Sequence, residues 1–196
     1  MAFWLNLEGP DRVGKTTQCQ LLAERLQARG IQVRVFRVPD RTNQTGQIIH
    51  EYLQGNGSTI QLRQLHLVFT LNRWEIMREI ERCLEAGIWV ITDRWSASGI
   101  AYSVARGLPM DWCSKVEEGL PQPNMTFYLD ANPVELQERE GWGQEREETL
   151  DMQMRVQEAY HMYFDGMGRG VVLPFAIQAY ESPQQIQQRL FDSLPL

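Results

Sequence analysis

A chain of 196 residues, 43% hydrophobic and 22% charged, fits one globular domain spanning 1–196 and excludes a fibrous or disordered polymer. Its net charge of −6 argues against a nucleic-acid partner, which calls for a basic surplus, but not against a small anion held by local charge. An apolar run of about 18 residues would mark a membrane span. None occurs, and the opening MAFWLNLEGP has no leader pattern, so the expectation is a cytoplasmic protein with no membrane partner.

Residues 3–7 are a short, mostly apolar run and predict a buried strand. A glycine-bearing loop follows, then helical spacing over 16–29 with Gly30 as its stop. Residues 31–36 alternate as a strand does, and Pro39-Asp40-Arg41 breaks them. A short helix is expected over 46–53, a loop over Gly55–Ser58, and a long helix over 60–85 ended by Gly87. The run 88–92 is the next buried strand, closed by Asp93-Arg94. Helices over 96–105 and 111–118, a strand over 125–129, and a polar helical stretch over 133–165 come next, the last interrupted by Gly141-Trp142-Gly143. Gly170 opens a final strand, and 184–193 forms a closing helix. Five strands alternating with helices predict an α/β fold of three layers, a parallel five-stranded sheet covered on both faces.

Three cysteines (Cys19, Cys83 and Cys113) with no CxxC spacing give neither a disulfide framework nor a zinc site, and His50, His66 and His161 show no ligand spacing. Of 19 basic residues, two are lysines, Lys15 and Lys115, and the other 17 are arginines, whose planar fork suits phosphate.

Lys15 falls in Gly9-Pro10-Asp11-Arg12-Val13-Gly14-Lys15-Thr16, which matches GxxxxGK[ST] between a strand and a helix. Glycines there let backbone N–H groups curl around a polyphosphate, the lysine neutralises its outer phosphates, and the threonine hydroxyl ligates Mg²⁺. The helix beginning at Lys15 aims its positive end at the same anion. Hence a P-loop NTPase fold and a nucleoside triphosphate site are expected. A guanine-reading NKxD is missing from the sequence, and the DxxG at Asp165–Gly168 reads as a loop, so a GTPase is disfavoured. A small, arginine-rich chain of this kind fits a kinase clamping two phosphorylated molecules.

Six segments occur in a telling order: Gly9–Gln18, Pro39–Arg41, Phe69–Glu75, Asp93–Tyr102, Gly119–Asn124 and Gly143–Arg146. Together they resemble thymidylate kinase, in its eukaryotic and large-DNA-virus branch, from about residue 3 to about residue 165. The resemblance implies transfer of the γ-phosphoryl group of MgATP to thymidine 5′-monophosphate (dTMP), giving the diphosphate and ADP for dTTP synthesis. It assigns the ATP site to Gly9 through Thr17 with Arg139 and Arg146, and Mg²⁺ to Thr16 and Asp93. Catalysis falls to Arg12, Lys15, Asp93 and Arg94. The dTMP site would comprise Asp11 at the sugar hydroxyl, Arg41 and Arg94 on the phosphate, Phe69 under thymine and Arg73 on its carbonyl, with Gly99 and with Tyr102 beneath the sugar. Phe69 and Arg73, four apart on a helix, share a face. The resemblance further implies a small helical lid at about 134–150 and a homodimer.

Three departures stand out. Trp95 replaces a common tyrosine, Val38 a phenylalanine walling the base pocket, and Glu147 a tyrosine near the nucleotide. The last two leave acceptor breadth open. Rival readings are a broader nucleoside monophosphate or deoxynucleoside kinase, and a non-catalytic nucleotide-binding regulator. Arg12, Lys15, Thr16, Asp93 and Arg94 argue against the regulator.

Overall fold

The computed structural model describes residues 2–55, 59–167, 172–177 and 181–196. The chain runs β1 (Trp4–Glu8), α1 (Lys15–Ala28), β2 (Val33–Arg37), α2 (Gln44–Leu53), α3 (Leu62–Glu85), β3 (Trp89–Asp93) and α4 (Ser96–Ala105). It continues through α5 (Met110–Val116), β4 (Met125–Asp130), α6 (Pro133–Leu136), α7 (Leu150–Met167), β5 (Val172–Ala176) and α8 (Pro183–Asp192).

All strands are parallel, in the order β2-β3-β1-β4-β5. Every residue of β1 and β3 is buried, as befits central strands with helices on both faces. The strand period of two divides β1 between those faces. Leu5 and Leu7 pack with Leu22 and Leu26 of α1 and with Leu190 and Phe191 of α8. Trp4 packs on the other face with Ile76 and Ile80 of α3 and with Trp95. Beyond it, α4 and α7 close the same face, with Ala97, Ala101, Val156 and Tyr160 packed around Tyr128 of β4.

Asn6 and Glu8 also point to that second face and are buried. Such burial is tolerable only with partners. Asn6 accepts from the Thr92 hydroxyl at 2.9 Å. Glu8 accepts from the Trp95 N–H at 2.7 Å, the Ser98 hydroxyl at 2.5 Å and the Tyr160 hydroxyl at 2.9 Å. Helix α4 has no side-chain cap of its own, so the Glu8 carboxylate meets the positive end of that helix from the neighbouring strand. The strand end carrying Asp93 and Arg94 is thereby fixed against β1.

Two expectations needed revision. Helical structure between 133 and 165 is confined to the single turn of α6 and to α7, so the lid region is mostly turns. Gly141 and Gly143 adopt φ of 81° and 82°, where a continuous helix cannot pass. Glu148 supplies side-chain acceptors to the N–H groups of Gln144 (2.9 Å) and Glu145 (3.3 Å) in place of helical carbonyls. Asp165 to Met167 form the end of α7 rather than a loop, while Gly168 lies outside the described residues. Gly170 and residues 56–58 of the predicted loop lie outside them as well. The other elements match within about two residues, the scatter normal for element ends.

Candidate active site

A cavity of about 760 Å³ opens where β1 and β3 end. Of the sequence-predicted residues, Asp11, Arg12, Gly14, Lys15, Thr16, Thr17, Arg41, Phe69, Arg73, Asp93, Arg94, Gly99, Tyr102 and Arg139 line it. Gly9, Pro10 and Val13 act one layer back. At Gly9 (φ 145°) a Cβ would stand 2.4 Å from the Leu129 carbonyl oxygen, so only glycine fits. The Pro10 carbonyl accepts from Lys15 Nζ at 2.6 Å, and Val13 is buried in the core.

Gly14 (φ 104°) opens α1, whose first turn has neither a side-chain cap nor an acid. Its first N–H groups and its dipole therefore face the cavity as an anion cradle. Lys15 is 6% exposed. Burial and then the charge of Arg94 push its ammonium down to about 8, against the pull of Asp11, Asp93 and Glu8. The Thr16 hydroxyl donates to Asp93 Oδ2 at 2.5 Å, which brings two hard oxygen donors together beside the cradle.

Arg12 and Arg94 are the two non-glycine residues with positive φ among those described, at 63° and 77°. Left-handed backbone costs an L-residue about 1–2 kcal/mol, so each is held there by its surroundings. The Arg94 N–H donates to the Leu7 carbonyl at 2.9 Å, and its Nη1 donates to the Gly9 carbonyl at 2.8 Å. Its Nη2 meets Asp11 Oδ1 at 2.5 Å. Burial raises the Asp11 carboxyl, but Arg94 and then Lys15 outweigh it, so that group sits below the usual carboxylate range. Gln153 completes the setting of Asp11, accepting from its N–H at 2.9 Å and donating to Oδ2 at 2.8 Å. The Tyr102 hydroxyl lies 3.3 Å from Arg94 Nη2.

Phe69 is half-buried and packs against the Ile49, Tyr52, Leu53 and Leu65 cluster. Arg73 is fully buried, whereas its neighbour Trp74 is exposed. Glu117 takes Arg73 Nε at 3.0 Å and also pairs with Nη2. The guanidinium passes over Gly99, where a Cβ would stand 2.5 Å from Nη2. Val38 and Trp95 line the cavity as well, and Trp95 packs edge-on against Trp4.

The segment 137–149 closes the remaining side. Arg139 Nη1 donates to the Arg12 carbonyl at 2.8 Å. Arg12 Nε pairs with Glu148 at 2.8 Å, and Arg41 with Glu145 at 2.7 Å. Arg146 is not brought to the cavity: it is exposed, with its guanidinium 4.8 Å from the Tyr52 ring centroid.

The family described as thymidylate kinase matches residues 7–189. The thymidylate kinase of Dictyostelium discoideum is 42% identical over 154 residues, covering 78% of this chain and 69% of that one. The Arabidopsis thaliana thymidylate kinase is 38% identical over 188 residues, covering 96% and 70%. The chain belongs to the thymidylate kinase family. The human thymidylate kinase is 35% identical over 156 residues, covering 79% of this chain and 73% of its own. The structure of thymidylate kinase from Candida albicans superposes with a TM-score of 0.89 at 29% identity, covering 97% of this chain and 90% of that one.

Three residues that shape this cavity, Arg106, Glu117 and Gln153, are not among those the sequence points to. Arg106 ends α4 and lines the cavity beside Glu147, with both side chains buried. A signal existed for it: one charge, four residues after Tyr102, closes an otherwise uncharged helix. Glu117 and Gln153 carried no local signal, because their partners lie 44 and 142 residues away.

Proposed function

We propose that this chain phosphorylates dTMP at the expense of ATP within the 760 Å³ cavity, giving the diphosphate and ADP. The supporting observation is that one cavity joins a triphosphate loop to a second cationic end. Lys15 and the start of α1 form the first, while Arg41 and Arg94, with Phe69 and Arg73 beyond them, form the second. Lys15, Thr16 and the loop N–H groups take the ATP phosphates, with Arg12 reaching the transferring group and Arg139 on the donor side. Arg94 and Arg41 take the dTMP phosphate, Asp11 the sugar hydroxyl, Tyr102 the sugar face, Phe69 the ring and Arg73 its carbonyl.

Thr16 and Asp93 fit Mg²⁺, which favours hard oxygens and fills its remaining positions with phosphates and water. Bound there, the ion would neutralise phosphate charge and orient the donor. The protein's own part is positioning. The second ionisation of a phosphate monoester lies at about pH 6, so the attacking oxygen is largely deprotonated at neutral pH and needs no strong base. What the reaction demands is two polyanions held in line and charge stabilised in flight, which arginines supply.

We also infer a homodimer, supported by the exposed apolar stripe Leu67, Leu71 and Trp74 on α3. Sedimentation at about twice 22.8 kDa is the expected result. A cytoplasmic location accords with three free, buried thiols. Among the described residues no helix is long and apolar enough to cross a membrane.

The test of function offers dTMP, dUMP, dCMP, AMP and thymidine separately with MgATP. ADP release with dTMP, and little with dCMP or thymidine, is expected. ATP binding without any acceptor-dependent ADP would reject this reading in favour of a regulator.

A further inference from the structure

We propose that Arg106 and Glu147 are positioning residues that anchor the lid to the acceptor end of the cavity. Of the five glutamates in 137–149, three pair with an arginine from elsewhere in the chain. Glu145 holds Arg41 and Glu148 holds Arg12, two of the arginines assigned above to substrate phosphates. A phosphate arriving at either competes with that carboxylate, so these two contacts must yield during turnover. The third pair has no such competitor.

Glu147 accepts from Arg106 Nε and Nη2, both at 2.6 Å, and from the Tyr52 hydroxyl at 3.1 Å. The two side chains are 8% and 7% exposed, against 31% and 25% for Arg41 and Glu145. Arg12 and Glu148 also form a two-point fork, at 2.8 and 3.1 Å, but Arg12 is 28% exposed, so the Arg106–Glu147 fork is the shorter and the drier of the two and the best shielded of the three pairs. The Arg106 guanidinium also lies 5.7 Å from the Phe69 ring centroid and 5.9 Å from that of Tyr102, the rings assigned to thymine and sugar. On the lid side, the Glu147 carbonyl accepts from Gln153 at 3.0 Å, and Gln153 in turn holds Asp11. The anchor thus touches the acceptor walls at one end and the phosphate machinery at the other. It keeps the lid docked while Glu145 and Glu148 exchange for phosphates. This deepens the kinase reading and rests on it for the roles of Arg12 and Arg41.

The test pairs hydrogen exchange on the substrate-free protein with steady-state kinetics, using Arg106→Met, Glu147→Gln and the conservative Arg106→Lys. Amides of 143–148 should exchange about tenfold faster in the first two variants, with those of β1 and β3 unchanged as proof of folding. The KM for dTMP should rise about tenfold, the Kd of a non-hydrolysable ATP analogue should stay within about twofold, and Arg106→Lys should fall between. Arg155→Met, which breaks the exposed pair with Asp151, should change neither readout. Unaltered exchange in 143–148, or faster exchange with an unchanged KM for dTMP, would overturn the proposal. Because the exchange arm uses no substrate, a wild-type protein that failed to phosphorylate dTMP would refute the functional reading without touching that arm.

Discussion

Gly99→Ala sets two effects of opposite sign against each other. Position 99 lies inside α4, where alanine is favoured over glycine by about 1 kcal/mol from helix propensity. The added Cβ, however, would sit 2.5 Å from Arg73 Nη2 and 2.9 Å from its Cζ and Nη1. Ordinary contact is about 3.5–4.0 Å, so the guanidinium must retreat by roughly 1 Å. It cannot do so freely, because Glu117 grips it through Nε and Nη2 in a fully buried setting. Uncoupling a buried ion pair costs about 3–5 kcal/mol when complete, which exceeds the propensity gain even if half realised. The variant should therefore lose about 1–3 kcal/mol of stability despite gaining a better helix former. Losing the proposed Arg73 contact to the thymine carbonyl would remove a charged hydrogen bond of about 1.5–3 kcal/mol, or roughly 10- to 150-fold in kcat/KM. Chemical denaturation and steady-state kinetics with dTMP and dCMP read both effects. The dTMP:dCMP preference should shrink along with kcat/KM. A variant as stable as the parent or more so, with unchanged preference, would refute the claim that Gly99 exists to let Arg73 pass.

Lys15→Ala and Arg94→Ala should each lower kcat/KM by at least about two orders of magnitude, and near-parental turnover in Arg94→Ala would remove it from the phosphate clamp. The Lys15 ammonium, pushed down to about 8, is charged below that pH and neutral above it. Affinity for a non-hydrolysable ATP analogue should therefore fall as pH rises from 7.5 to about 9.5, by up to about tenfold per unit; a flat Kd across that window would contradict the assignment. Glu8→Gln should cost on the order of 2–3 kcal/mol in urea unfolding, because the carboxylate accepts from Trp95, Ser98 and Tyr160 at once. A loss below about 0.5 kcal/mol would show that β1 does not hold the start of α4.

What the sequence reveals is the part written in local spacing. The glycine-lysine-threonine loop, the strand run before it and the α1 periodicity after it are all short-range patterns. The structure puts Lys15, Thr16, Asp93 and Arg94 together at the ends of adjacent strands β1 and β3. What escapes is written across the chain. The second carboxylates that hold the arginines in place, Glu117 for Arg73 and Glu147 for Arg106, lie 44 and 41 residues from their partners. Glu117 stands in no pattern that distinguishes it from a solvated surface acid; Glu147 stands out as a replaced tyrosine, but nothing local names Arg106 as its partner. The lid departs from a helix for a related reason. Its composition suits a helix, but its shape is set by arginines from the loop and from α4, and by a glycine at 141 that leaves room for Arg12 Nη1, 2.6 Å from where a Cβ would stand. The left-handed backbones of Arg12 and Arg94 likewise leave no trace in residue type, since arginine is not favoured there.

The most direct test of the account follows the fate of the γ-phosphoryl group. The protein is given γ-labelled ATP, Mg²⁺ and dTMP, and the products are separated. Label is expected in the nucleoside diphosphate, matched mole for mole by ADP, with little inorganic phosphate and no transfer when dTMP is withheld. Label appearing chiefly as inorganic phosphate, at a rate indifferent to dTMP, would contradict it.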